Sequence, residues 1–180
     1  MIDDLIAGLA QAVRNAAAAK RALRLRGGGS KDFYGQSLDG DVLDTRGYAG
    51  IVEYDPTELV VTARCGTPLA ELETALAEKK QMLACECPHF GAGSTLGGAV
   101  ATGLSGPRRQ AAGSVRDFVL GAKLMDGRGD VLNFGGRVMK NVAGYDVSRL
   151  LAGSLGTLGI ILEVSPVSYT HLTLPTNREV

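Results

Sequence analysis

Short apolar runs interspersed with helix-length stripes, and one pair of runs facing each other across a tight turn, predict an α+β fold rather than a regular βαβ wind. Two observations give the helices. Ile2, Leu5, Ile6, Leu9 and Val13 recur at helical spacing, and Leu69, Leu72 and Leu76 form a second apolar stripe. The third is the stretch "SVRDFVLGAKLMDGRGDVLNFGG", two apolar runs around Asp126-Gly127-Arg128-Gly129, which reads as a β-hairpin.

The remaining elements follow in chain order. "ALRLR" (22–26) alternates like a short strand and runs directly into three glycines. "DVLDT" and "GIVEY" read as strands, and Asp55-Pro56 marks a turn before the strand "ELVVTA". Thr67 and Pro68 suit an N-cap and first helical position, with the helix running to Lys80. "QMLACE" reads as a strand ahead of a second glycine-dense region, "CPHFGAGSTLGGAVATGLSGPRR". "YDVSRLLAGSLG" suggests a short helix and "TLGIILEV" a buried strand. No internal repeat is evident.

The 180 residues suit one domain of two lobes, split near residues 50–65. Lysine plus arginine and aspartate plus glutamate both number 19, so no basic field favours nucleic acid. No apolar run reaches the ~20 residues of a membrane span. The acidic start, MIDDLIAGLA, is unlike a signal peptide. Three cysteines, an odd number, argue against a disulfide framework, so a reducing cytoplasmic location is the default. The tail "SPVSYTHLTLPTNREV" loses the glycine and alanine bias. Residues 168–180 are therefore read as foreign or disordered sequence rather than a normal last strand and loop, leaving 1–167 as the domain.

The 25 glycines exceed the usual share without a collagen period, which points to tight turns and close backbone approaches. Successive N–H groups in such turns can cradle phosphate oxygens. The standard fingerprints nevertheless fail. Counting G-x-G-x-x-G from Gly27 ends on Asp32, and Ser30-Lys31 lacks the Gly-Lys pair of a Walker loop. Taken alone, "GGGS" fits a flexible loop better than a ligand site.

Three segments in order change that. "LRLRGGGSKDFYG", "PHFGAGSTLGGAVATGLSGPRR" with the hairpin after it, and "VMKNVAGYDVSRLLAGSLGTLGIILEVSPV" together resemble the vanillyl-alcohol oxidase family, flavoproteins with a PCMH-type FAD-binding domain. The resemblance covers about residues 15–167. "YDPTELVVTARCGTPLAELETALA", "GPRRQAAGSVRDFVLG" and "FGGRVMKNVAGYDVSRLLAGSLGTLG" are further similar to the FAD-binding (E) subunits of glycolate oxidases, also called glycolate dehydrogenases. The resemblance implies an FAD-binding subunit, or fragment, that works with a second flavoprotein subunit and an iron–sulfur subunit. The complex would oxidise glycolate or a similar 2-hydroxy acid in the cytoplasm, or peripherally at the inner membrane. It also implies a C-terminal cap domain, expected to be absent from this sequence. No catalytic base stands out in the 180 residues. The alternatives are a non-catalytic assembly subunit that keeps the fold without useful flavin binding, and an FAD-dependent dehydrogenase of another 2-hydroxy acid.

By the same resemblance, Gly27, Gly28, Gly29, Ser30 and Lys31 would face the FAD diphosphate, with Arg26 and Lys31 adding charge or lying solvated at the surface. Pro88, Gly93, Ser94, Thr95, Leu96, Gly97 and Gly98 would form a second wall, or else a glycine-rich helix start packed for structural reasons. Thr102 and Gly103 would lie near the isoalloxazine, and Ile160 and Ile161 would touch FAD or simply fill the core. "CECPH" offers Cys85, Cys87 and His89, a set short of a fourth ligand, so no metal is expected. No histidine occupies residues 26–35, so a non-covalent FAD is expected. Arg108-Arg109 suits a carboxylate or phosphate, or a solvated basic pair.

Overall fold

The computed structural model describes residues 2–36, 39–136 and 145–170. Helix α1 (Ile2–Ala18) carries Asp3 and Asp4 in its first turn, where the helix dipole favours anions, and buries Leu9, Ala10, Val13 and Ala16. The next two strands, β1 (Leu23–Arg26) and β2 (Asp41–Asp44), pair in parallel with Leu25 opposite Leu43. Parallel neighbours need a crossover, and here the glycine-rich segment between them supplies it in place of a helix. The "RLRGGGSKDFYG" stretch is therefore committed to arching over the end of this small sheet.

A five-stranded antiparallel sheet follows, in the order β3 (Ile51–Asp55), β4 (Val60–Arg64), β8 (Ile160–Pro166), β6 (Val119–Met125) and β7 (Val131–Gly135). Both its faces are covered. On one, Met125, Ile160 and Leu162 pack with Leu9, Val13 and Tyr48 and with the small β1–β2 sheet through Leu23, Leu25 and Leu43. On the other, Val61, Ala63, Leu124, Ile161 and Val164 meet α2 (Leu69–Ala77) and α3 (Leu96–Thr102). The α2 stripe Leu69, Leu72 and Leu76 is fully buried there, each side chain contributing about 1.5–3 kcal/mol. Strand β5 (Gln81–Met82) pairs with β9 (Tyr169–Thr170), and α4 (Arg109–Ala112) and α5 (Val147–Leu150) complete the elements.

Four sequence expectations are redrawn. Thr67 does not cap α2: Pro68 takes that position, and the buried Thr67 hydroxyl accepts the Gly50 N–H at 2.8 Å. "QMLACE" is strand only over Gln81–Met82, because Glu86 N–H turns back to the Leu83 carbonyl and Glu86 adopts φ +44°. The run before β6 is a 3₁₀ turn, Val115–Phe118, fixed by the Asp117 carboxylate accepting from Ser114 N–H and Ser114 Oγ. In the segment assigned to the tail, Ser168–Thr170 pack against Leu59 and β5, while residues 171–180 lie outside the described residues.

Candidate functional site

The first wall of the site is the loop that leaves β1. Gly29 adopts φ +72°, a conformation most side chains avoid. Gly28 lies against the second glycine loop: a Cβ added there would stand 1.3 Å from the Gly93 carbonyl oxygen. Among the described residues, the main-chain N–H groups of Gly27, Gly28, Gly29, Ser30 and Lys31 donate to no protein acceptor. Five consecutive unspent donors in a glycine loop form an anion-binding concavity.

Charge reinforces them. Asp32 folds back and accepts from Arg26 Nε at 2.9 Å and from Arg24 Nη2 at 2.7 Å. Arg24 and Arg26 stand two apart on β1, so the alternation of the strand brings both to one side. Lys31 lines the same space, so the loop brings three basic side chains and one carboxylate to it.

The second wall is the start of α3. Thr95 caps this helix, its hydroxyl accepting the Gly98 N–H at 3.2 Å. The chain before it is stitched to the entry of α2: Leu69 N–H donates to Ser94 O, Leu96 N–H to Thr67 O and Gly97 N–H to Cys65 O, at 2.8–2.9 Å. Lys31 crosses between the walls, and its Nζ donates to Ser94 Oγ at 2.7 Å in a buried position. Burial pulls the Lys31 ammonium below the ordinary lysine range, with the nearby Cys87 acting weakly the other way. Outside, Phe33 and Phe90 meet edge to face with centroids 5.1 Å apart, joining the two loop tips.

Between the walls lies a cavity of about 300 Å³. Residues Arg26 through Lys31, Thr95, Gly98 and Thr102 line it, so the structure brings the first loop and part of the second together. A smaller neighbouring cavity of about 70 Å³ is lined by Arg26, Gly27, Gly97, Gly98, Ile160 and Ile161. The other predicted residues are elsewhere. Gly93 supports Gly28 from behind, Ser94 is engaged by Lys31, and Leu96 is buried in the core. Gly103 closes α3 against Gly153, and Pro88 lines a separate hollow with Cys87 and Arg108.

Several lining residues escaped sequence reasoning: Arg24, Tyr34, Gln36, Ala101, Leu155 and Thr157. Arg24 had a signal, its alternation with Arg26. Leu155 and Thr157 sit in "GSLGTLG", part of the closing segment already recognised, although residues 137–144 of that segment lie outside the described ones. His89 is not at the cavity; its Nε2 pairs with the Glu73 carboxylate at 2.9 Å. Arg108 is held by Glu86, which accepts its main-chain N–H at 2.9 Å.

Residues 6–135 match the family described as FAD binding domain. This chain belongs to that family. FAD is the cofactor of the domain, and the site suits it: unspent amides and surplus positive charge fit a diphosphate. The FAD-binding domain is similar to the glycolate oxidase subunit GlcE of Escherichia coli (strain K12), with 54% identity over 90% of this chain and 46% of the relative. It is also similar to the D-2-hydroxyglutarate dehydrogenase of Xanthomonas citri pv. viticola, with 32% identity over 63% of this chain and 24% of that protein. The chain thus spans just under half the length of the first relative and about a quarter of the second. Among solved structures, alkyldihydroxyacetonephosphate synthase superposes with a TM-score of 0.71 at 24% identity, over 92% of this chain and 30% of that one. That likeness establishes the α+β, PCMH-type fold.

Proposed function

We propose that this chain is the FAD-binding part of a subunit that oxidises glycolate, or a closely similar 2-hydroxy acid, to the 2-oxo acid. The observation that carries the reading is the 54% identity to a glycolate oxidase subunit across nine-tenths of the chain. FAD, when bound, supplies acceptance of a hydride equivalent from the substrate carbon. The chain's own residues have binding roles. The Gly27–Lys31 amides hold the diphosphate, Arg24 and Arg26 balance its charge, and Thr95 offers its hydroxyl proton along the same wall, where Thr102 spends its own on the Gly98 carbonyl at 2.8 Å. Gly98, Ile160 and Ile161 give the cofactor a resting surface beside that wall. The flavin is held without a covalent bond, since neither loop presents a histidine to the cavity. The proposed partners are a second flavoprotein subunit and an iron–sulfur subunit, in a cytoplasmic complex or one resting on the inner membrane. No helix among the described residues is long and apolar enough to cross a membrane.

A second reading, oxidation of a different 2-hydroxy acid, is favoured by the similarity to D-2-hydroxyglutarate dehydrogenase and, at 33% identity, to the D-lactate dehydrogenase of Archaeoglobus fulgidus. The deciding experiment purifies the full-length subunit with its co-expressed partners and adds single 2-hydroxy acids anaerobically. Bleaching of the flavin by glycolate at low concentration supports the first reading. Bleaching by D-lactate or D-2-hydroxyglutarate alone supports the second. A complex that bleaches normally when this subunit's flavin site is destroyed makes the subunit an assembly component.

A further inference from the structure

The Cys85-Glu86-Cys87 turn has no part in the cavity between the glycine loops, yet it brings two free thiols together. The two Sγ atoms stand 3.1 Å apart, one S–H donating to the other sulfur. The turn is held from both sides. Gly106 N–H donates to the Cys85 carbonyl at 3.0 Å, and the Glu86 carboxylate accepts from Arg108 N–H at 2.9 Å. The intervening Glu86 is fixed at φ +44°, a left-handed conformation that folds the chain back and keeps both sulfurs on one side. Both thiols are nearly buried, but Cys87 lines the open hollow that also contains Pro88 and Arg108. A small oxidant can therefore reach one member of the pair.

We propose that Cys85 and Cys87 form a reversible dithiol–disulfide couple at the root of the second glycine loop, oxidised by hydrogen peroxide or a comparably small hydroperoxide. The S–H of Cys87 holds the Cys85 thiol below the ordinary range, while the same contact and burial push the Cys87 thiol up, so Cys85 supplies the thiolate, 3.1 Å behind the sulfur that lines the hollow. The thiolate attacks one peroxide oxygen: an S–O bond forms, the O–O bond breaks, and the departing hydroxide takes a proton to leave as water. The second thiol then attacks the sulfenic sulfur. An S–S bond forms, the S–O bond breaks, and a second water leaves. Two thiols and one peroxide give one disulfide and two waters. The sulfurs need only close to the ~2.05 Å of an S–S bond. Cys65 is the internal control: it is buried at the end of β4, and burial pushes its thiol well above the ordinary range.

The turn leads through Pro88 into the loop that holds Ser94 and Thr95, the wall on which Lys31 is latched. The test uses the whole protein, reduced and then treated with graded hydrogen peroxide. Free thiols are counted after denaturation, and the intact mass is recorded. The expected result is a fall from three thiols to one with a loss of about 2 Da, restored by dithiothreitol. Peptide mapping of the unmutated protein should place the link between Cys85 and Cys87, and Cys65→Ser should leave it intact. Cys87→Ser should abolish it. Stepwise gain of oxygen on single cysteines, an intermolecular link, or retention of all three thiols at peroxide levels that oxidise free cysteine would overturn the proposal. The mapping does not depend on any variant folding, and none of these outcomes depends on flavin binding or turnover.

Discussion

Lys31 is a cation drawn out of water to hold two loops together. Its ammonium has the Ser94 hydroxyl as hydrogen-bond partner at 2.7 Å and the Phe90 ring 5.9 Å away. Removing the hydroxyl alone leaves a buried charge without that bond. Ser94→Ala is thus expected to lower stability by about 1–3 kcal/mol in urea unfolding. Adding Lys31→Met should recover part of the loss, since the unpaired group is then gone. A double variant less stable than Ser94→Ala would mean that the latch is not what Ser94 provides. Tyr48 shows the complementary case. Its hydroxyl donates to Glu163 Oε1 at 2.5 Å beneath α1, and Lys123 Nζ sits 2.9 Å from the other carboxylate oxygen. Burial first, and the Glu163 hydrogen bond second, push the Tyr48 hydroxyl up to about 12. Above pH 10 the unfolded chain releases the tyrosine proton while the folded chain keeps it. Stability from this group is therefore complete below pH 10 and is lost as pH rises towards 12. Unfolding free energy measured across that window should fall less steeply in Tyr48→Phe than in the parent.

At the scale of elements, the short helix α3 shows how one glycine can serve the fold while its neighbour serves the site. A Cβ at Gly97 would lie 2.7 Å from Cys65 Cβ and 2.9 Å from the Cys65 carbonyl oxygen. Gly97→Ala should therefore push α3 away from β4 and destabilise by about 1–3 kcal/mol, whether or not flavin is present. Gly98, with only the Thr95 hydroxyl at 3.3 Å, faces the cavity instead. Sequence reasoning treated the two alike, because glycine density signals close approach without saying to what. The same limit applies to Gly28, whose close neighbour is Gly93 rather than a ligand. Periodicity located α1, α2 and the β6–β7 hairpin because each alternates apolar and polar faces locally. The parallel pairing of β1 with β2 was not legible, since the order of strands depends on where the crossover lands. Nor was the Arg24–Asp32 contact, which exists only once the glycine loop has reversed direction.

For the whole molecule, the two glycine-rich segments are 60 or so residues apart in sequence and meet only because the small β1–β2 sheet packs on the large one. Family resemblance pointed to both loops; Ala101, Leu155 and Thr157 line the cavity between them as well. Ala101, half-buried on α3, lines both cavities, so a larger side chain there fills ligand space. The central claim, that the space between the glycine loops holds FAD, is tested most directly by titrating the purified, flavin-stripped chain with FAD. Visible absorbance and melting temperature are followed for the parent and for Ala101→Leu. The parent should take up flavin and gain about 2.7 kcal/mol of stability when FAD reaches a hundred times its Kd. Ala101→Leu should fold, yet bind at least about tenfold more weakly, a loss of roughly 1.4 kcal/mol. A parent chain whose spectrum and melting temperature ignore saturating FAD, or an Ala101→Leu variant that binds as tightly as the parent, would contradict it.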